Sequence, residues 1–173
     1  MLTTPNNSDI LELKALWLNT FDDDQKDIDE FFKVLFMQKN TLIWKANDKI
    51  ISMLYMLPYE HSIYLYALAT LPDYRGRGIM TRLINESCKI AKSKNAKALF
   101  LIPATGMEEY YKQFGFAPYN GNELDKNRPP ATEYEAKIKE YVQYQDESFI
   151  PKTIMVKDLG GFNIQELFGY LPF

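Results

Sequence analysis

Apolar residues recur at helical spacing near the start of the chain. Ile10, Leu13, Trp17 and Phe21 lie three and four apart and make one apolar face. Asp9 heads this run with Glu12 three residues on, so the pattern predicts a helix beginning at Asp9, its carboxylate capping and Glu12 reaching back. Asp22, Asp23 and Asp24 interrupt the pattern and put negative charge at the positive end of a second helix, which carries Ile28, Phe31, Phe32 and Leu35. From residue 41 the period changes. Residues 41–46 are apolar and β-rich, Asn47-Asp48-Lys49 is turn chemistry, and residues 50–57 read as a second strand. After a break at residues 58–61, residues 62–71 read as a third strand, with Tyr64 and Tyr66 on one face and Leu65 on the other.

The run Pro72-Asp73-Tyr74-Arg75-Gly76-Arg77-Gly78 is a turn feeding a long helix, whose buried stripe is Met80, Leu83, Ile84 and Ala91 with Cys88 beside it. Residues 99–103 read as a short buried strand, 107–114 as a short helix and 116–119 as the start of another strand. The order α-α-β-β-β-α-β-α-β predicts an α/β (α+β) sandwich with a helix crossing between neighbouring strands. Farther on, residues 120–130 read as a loop, 132–144 as a helix with little apolar face, and 152–156 as a closing strand. The tail 160–173 is apolar and glycine-spaced and fits no regular period. The reading is a single domain, with a core over 1–120 and a C-terminal extension over 121–173 packed on it.

Composition narrows the class. A chain of 173 residues with 46% apolar and 25% charged side chains has the balance of a globular domain and not of a disordered one. Its net charge of −3 argues against general nucleic-acid binding, which requires phosphate neutralisation. One cysteine, Cys88, and one histidine, His61, leave no disulfide framework and no Cys- or His-rich metal site, so no metal is expected. The longest near-apolar run, residues 50–57, is too short to cross a bilayer, and no membrane partner is expected. MLTTPNNSDI lacks the basic-then-apolar pattern of a secretory signal, which makes a reducing cytoplasm the simplest address. The charge is polarised: residues 1–30 hold eight acidic and two basic side chains, and residues 72–97 hold seven basic and two acidic.

The segment LYALATLPDYRGRGIMTRL, residues 65–83, carries the chemistry. A strand ends, a glycine-spaced turn follows and a helix begins. The first turn of a helix presents unpaired N–H groups, and with the helix dipole these make an anion site suited to phosphate. Gly76 and Gly78 permit close backbone approach, and the guanidinium groups of Arg75 and Arg77 can grip phosphate oxygens. The competing reading is a tight strand-to-helix turn with solvated arginines. The segment is not a P-loop, because G-x-x-x-x-G-K-[ST] is absent. Nor is it a dinucleotide fingerprint: the third glycine would fall at Thr81, and no acidic residue follows a strand about 20 residues on.

Arg75 and Gly78 behind Pro72-Asp73-Tyr74, with Tyr111, Gly115 and Phe116 downstream, resemble the two signatures of the GNAT superfamily of acetyl-coenzyme A-dependent N-acetyltransferases. The first is [RQ]-x-x-G-x-[GA] after a strand, and the second is Tyr, three residues, then Gly-Phe. Met80 stands where the family prefers Gly or Ala, and Ala104 where it often has Asn. The likeness covers residues 50–119. IMTRLI and FLIPATGMEEYYKQFGF look most like the branch that includes enhanced-intracellular-survival-type acetyltransferases.

The resemblance implies a GNAT-like mixed central sheet flanked by helices, with acetyl-CoA as co-substrate. It implies that the backbone of Leu68, Ala69 and Thr70 pairs with the pantetheine arm as if with another strand. The N–H groups of Arg75, Gly76, Arg77, Gly78, Ile79 and Met80 would hold the pyrophosphate, with a hydroxyl contact from Thr81. Tyr111 becomes the candidate general acid for the departing thiolate; its other reading is a packed aromatic beside Phe114 and Phe116. Candidate bases are Glu60, His61, Glu109 and the carboxylate of Phe173, of which only His61 has a side chain that ordinarily titrates near neutrality. The acidic N-terminal helices, which border the acceptor cleft in the resembling family, point to a cationic small-molecule or peptide amine; the other reading is an ordinary solvated face. The expected reaction is direct transfer in a ternary complex. Two rivals stand beside it: a non-catalytic acyl-coenzyme A-binding or sensing domain, and a partial enzyme that needs another subunit, which leaves a homo-oligomer open.

Overall fold

The computed structural model describes residues 1–125, 127–144, 151–167 and 169–172, packed as two compact units. One unit contains Met1–Leu57 and Leu65–Ile90, and the other contains Pro58–Tyr64 and the chain from Ala91 onward.

In the first unit, Leu2–Thr3 (β1) pairs antiparallel with Thr41–Ala46 (β2), and β2 pairs antiparallel with Lys49–Pro58 (β3). Ala46 stands opposite Lys49, so Asn47 and Asp48 form a two-residue turn with φ of 50° and 61°. That left-handed pair matches the twist of the flanking strands, and Asn and Asp tolerate it better than other non-glycine residues. The strand expected over 62–71 is Ser62–Thr70 (β4). Helices Ile10–Leu18 (α1), Gln25–Val34 (α2) and Ile79–Ser93 (α3) complete the regular structure.

The start of α1 departs from expectation. A 3-10 turn over Asn7–Asp9 precedes it and moves the cap back to Asn6, whose side chain accepts from the Ser8 N–H at 2.8 Å. Asp9 is therefore the third position of a capping box, and its carboxylate accepts the Asn6 N–H at 2.9 Å and pairs with Lys45 at 2.7 Å. Glu12, expected to reach back, instead accepts the Ile50 N–H at 2.8 Å and ties α1 to β3. Leu13, Leu16 and Trp17 are buried, whereas Ile10 and Phe21 are half-buried. Trp17 lies at the centre of an aromatic cluster, with ring centroids 4.8 Å from Phe31 and 5.5 Å from both Tyr55 and Tyr66. Each such pair adds about 0.5–1.5 kcal/mol beyond area burial.

In the second unit, Ala98–Leu101 (β5) runs parallel to the start of β4, with Ser62 opposite Ala98 and Tyr64 opposite Phe100. Glu108–Lys112 (α4), Ala117–Asn120 (β6) and Glu133–Tyr144 (α5) follow, and Thr153–Asp158 (β7) inserts between β5 and β6, antiparallel to both. Tyr64 stacks on Phe100 at 4.9 Å and 6°. The apolar tail buries Leu167 and Leu171, and its backbone carbonyls at Tyr170 and Pro172 accept from the hydroxyls of Tyr59 at 2.8 Å and Tyr64 at 2.9 Å. Such backbone-to-side-chain ties need no periodicity, which is why the tail fitted no regular pattern. The strands form one mostly antiparallel seven-stranded sheet in the order β1-β2-β3-β4-β5-β7-β6, which bears out the expected mixed sheet flanked by helices.

Candidate functional site

The site begins with an irregularity in β4. The ladder to β5 covers Ser62, Ile63 and Tyr64 and then stops, while β4 runs on to Thr70. Ala67 has φ of +48°, a left-handed conformation that costs a residue with a Cβ about 1–2 kcal/mol. It breaks the pleat as a bulge does and re-aims the backbone beyond it. Residues 65–70 thus have no ladder partner on the β5 side of β4 among the described residues, and Leu68, Ala69 and Thr70 lie in this stretch.

Beyond Thr70 the chain makes a 3-10 turn over Pro72–Tyr74. Both arginines fold back on it. Arg75 donates its backbone N–H to the Pro72 carbonyl at 3.1 Å and its Nε to the Thr70 carbonyl at 3.0 Å. Arg77 donates to the Asp73 carbonyl at 2.8 Å and covers the Tyr74 ring. Gly76 and Gly78 follow with φ of +72° and +71°, and a Cβ built on either would meet nothing within 4 Å. The backbone is therefore bare to solvent at both positions, and the demand for glycine is conformational and not steric. The Arg82 N–H donates to Gly78 O, which opens the ladder of α3. The N–H groups of Gly78, Ile79, Met80 and Thr81 have no acceptor among the described residues. Four unpaired donors at the positive end of a 15-residue helix are the arrangement that can receive an anion. Met80 and Thr81 are half-buried beside it.

In the second unit, Tyr111 sits in α4 with 8% of its surface exposed. Gly115, at φ of +83°, ends this segment, and the Phe116 N–H donates back to the Tyr111 carbonyl at 3.4 Å. The Tyr-x-x-x-Gly-Phe spacing is thus one turn closed by a left-handed residue. The Tyr111 hydroxyl has no hydrogen-bond partner among the described residues. Burial first, and the neighbouring Tyr110 second, push its pKa up to about 12. A buried hydroxyl without a partner costs about 1–3 kcal/mol.

The other candidates are placed as follows. Glu109 is exposed and pairs with Lys112 at 2.5 Å. Glu60 pairs with Arg128 at 2.7 Å, with His61 Nε2 3.5 Å from the same oxygen. Phe173 lies outside the described residues. Sequence reasoning missed Glu135, a fully buried carboxylate in α5 that accepts the N–H groups of Glu60 at 2.9 Å and Ala131 at 2.7 Å, with Arg128 at 3.8 Å. Its signal was the capping-box pattern Thr132-x-x-Glu135: the Thr132 hydroxyl accepts the Glu135 N–H at 3.0 Å, while the carboxylate reaches back one residue farther, to Ala131. No cluster of His, Cys, Asp or Glu that could hold a metal occurs among the described residues, and no described helix is long and apolar enough to cross a membrane.

A family model described as an acetyltransferase (GNAT) domain matches residues 2–119. The chain belongs to the GNAT acetyltransferase family. An uncharacterized N-acetyltransferase of Schizosaccharomyces pombe is 36% identical to this GNAT chain over 59 residues, 33% of this chain and 41% of the relative. The chain thus spans about two-fifths of the length of the curated relative it matches. N-acetylglutamate synthase of Neisseria gonorrhoeae, complexed with coenzyme A and N-acetyl-glutamate, superposes with a TM-score of 0.66 at 17% identity, over 93% of this chain and 35% of that one. A GNAT family N-acetyltransferase of Escherichia coli in complex with CoA superposes with a TM-score of 0.64 at 16% identity, over 92% and 81%. Identities this low carry the GNAT fold and not the acceptor.

Proposed function

We propose that this GNAT chain transfers an acetyl group from acetyl-coenzyme A to a primary amine by direct attack in a ternary complex. The observation that carries the reading is the row of unpaired N–H groups from Gly78 to Thr81 beside two open, left-handed glycines. A pyrophosphate satisfies those donors, and the extended pantetheine arm suits the unladdered edge at residues 68–70. The amine nitrogen forms a bond to the thioester carbon, the carbon–sulfur bond breaks, the departing thiolate takes the proton of the Tyr111 hydroxyl, and the proton that the nitrogen sheds on becoming an amide restores that hydroxyl. Its pKa of about 12 keeps Tyr111 protonated through the neutral range, the state an acid needs. Glu60, His61, Glu109 and the Phe173 carboxylate are the candidates to take the proton of the incoming ammonium.

The acceptor we propose is the amine of a cationic small molecule or peptide. The support is the excess of six acidic side chains over basic ones within residues 1–30. IMTRLI and FLIPATGMEEYYKQFGF support a place near the enhanced-intracellular-survival branch of the family.

Thermal unfolding with and without acetyl-coenzyme A tests the reading. At about 100 times its Kd, a specific ligand adds roughly 2.7 kcal/mol, which raises the Tm of a chain this size by several degrees. The shift should vanish in Gly78→Val, which places a β-branched side chain at φ of +71°. No shift in the wild type overturns the coenzyme site. A shift without amine-dependent thiol release leaves the chain an acyl-coenzyme A-binding domain.

A further inference from the structure

Ser52 is a polar residue in the apolar run of β3 and is wholly buried. Its hydroxyl is not spent within its own strand. It lies 2.8 Å from the Ala69 carbonyl and 2.8 Å from the Thr70 hydroxyl, both in β4. A serine has one proton to give. Because the carbonyl can only accept, that proton goes to Ala69, and Thr70 must be the donor in the second contact. The result is a relay in which Thr70 donates to Ser52 and Ser52 donates to the Ala69 carbonyl.

This relay falls where β4 is irregular. Ala67, two residues earlier, is in the left-handed region. The Ala69 carbonyl is met by a side chain from β3, and just past the strand the Leu71 N–H donates to Ile51 O at 2.9 Å. Thr70 is fastened twice, by its hydroxyl to Ser52 and by its carbonyl to Arg75 Nε. The segment 68–70 is thus pinned between a bulge and a turn by bonds that point toward β3 and the Gly turn. The Ala69 carbonyl is spent on Ser52 and the Thr70 carbonyl on Arg75 Nε, which leaves the backbone groups of Leu68 outside this network.

We propose that Ser52 and Thr70 are positioning residues for the coenzyme. Their hydroxyl relay fixes the backbone of residues 68–70 so that its outer edge meets an extended ligand without reorganising. The inference rests on the reading of this edge as the pantetheine-binding strand. A strand held in its bound geometry loses less freedom on binding, and loosening it weakens binding more than it slows the chemical step.

The test is the acetyl-coenzyme A Kd and KM, kcat with a reactive amine, and the Tm, for the wild type, Thr70→Val, Thr70→Ser and Ser52→Ala. Valine keeps the shape and strand preference of threonine and removes only the hydroxyl. Thr70→Val and Ser52→Ala should raise Kd and KM for the coenzyme roughly five- to tenfold, the effect of one lost hydrogen bond. The expected change in kcat is smaller, and Thr70→Ser should bind like the wild type. A coenzyme Kd that is unchanged in Thr70→Val while its Tm falls overturns the inference, since the relay is then merely structural. If Ser52→Ala does not fold, Thr70→Val decides alone. A wild type that binds no coenzyme overturns the acetyltransferase reading itself, an outcome distinct from the first.

Discussion

The Tyr64 hydroxyl donates to the carbonyl of Pro172 at 2.9 Å, joining residues 108 positions apart. Tyr59 makes the same kind of bond to Tyr170. Removing the Tyr64 hydroxyl leaves a buried carbonyl without its donor. Tyr64→Phe should therefore cost about 1–3 kcal/mol. Urea unfolding should show a lower midpoint at unchanged m-value, and an unchanged midpoint would refute the tie.

Glu135 accepts two backbone N–H groups, one on each oxygen. Glutamine offers only one acceptor oxygen, so Glu135→Gln aims its amide N–H₂ at an N–H donor. The loss should be about 2–4 kcal/mol, that of a buried donor left unpaired beside a second one facing it. Chemical denaturation of the two proteins measures it. A loss below about 0.5 kcal/mol, the size of an ordinary surface change, would mean that the network is not structural.

Tyr111 should behave in the opposite way. Its hydroxyl has no partner among the described residues, so Tyr111→Phe removes an unsatisfied group and should leave the Tm unchanged or slightly raised. Turnover of an amine acceptor should nevertheless fall on the order of 100-fold, the typical worth of a positioned acid. A Tm loss with full turnover would reverse the assignment.

Alkaline pH tests the buried phenols together. Burial raises the pKa of Tyr55, Tyr59, Tyr64 and Tyr134 above the ordinary value near 10, and that of Tyr111 to about 12. A raised pKa means that the folded state binds protons that the unfolded state has already released. The stability these groups contribute is fully present below about pH 10 and is lost as the pH rises through that value toward the folded pKa values. The Tm should be flat from about pH 8 to 9 and fall steeply above about pH 10. For Tyr111→Phe the decline should be shallower, and identical curves would place the Tyr111 phenol in water.

Much of this was legible in the chain. The strand over 41–46, the Asn-Asp turn, the glycine turn and the Tyr111 helix all follow from local chemistry, because each is set by residues within a few positions of one another. What escaped was set from afar. β1 is only two residues long, too short for any period. The true cap of α1, Asn6, was hidden because Asp9 also fits a cap, and only the 3-10 turn decides between them. An alanine in a strand gives no sign of the left-handed conformation at Ala67. Glu135 spoils the apolar face of α5 and lowers its helical signal, while the N–H groups that make its burial tolerable come from residues 60 and 131.

The rims of the sheet have a bearing on solution behaviour. On one side the last strand, β1, is two residues long; on the other, β6 carries Pro118, which has no N–H to give. Short or proline-bearing rims give a foreign strand too few donors and acceptors to zip onto, which is how sheets resist growing into ribbons. The stretch of β4 without a described ladder partner on its β5 side, residues 65–70, lies in an inner strand of the sheet and not at either rim. Crowding should therefore not recruit the chain into cross-strand polymers through its rims.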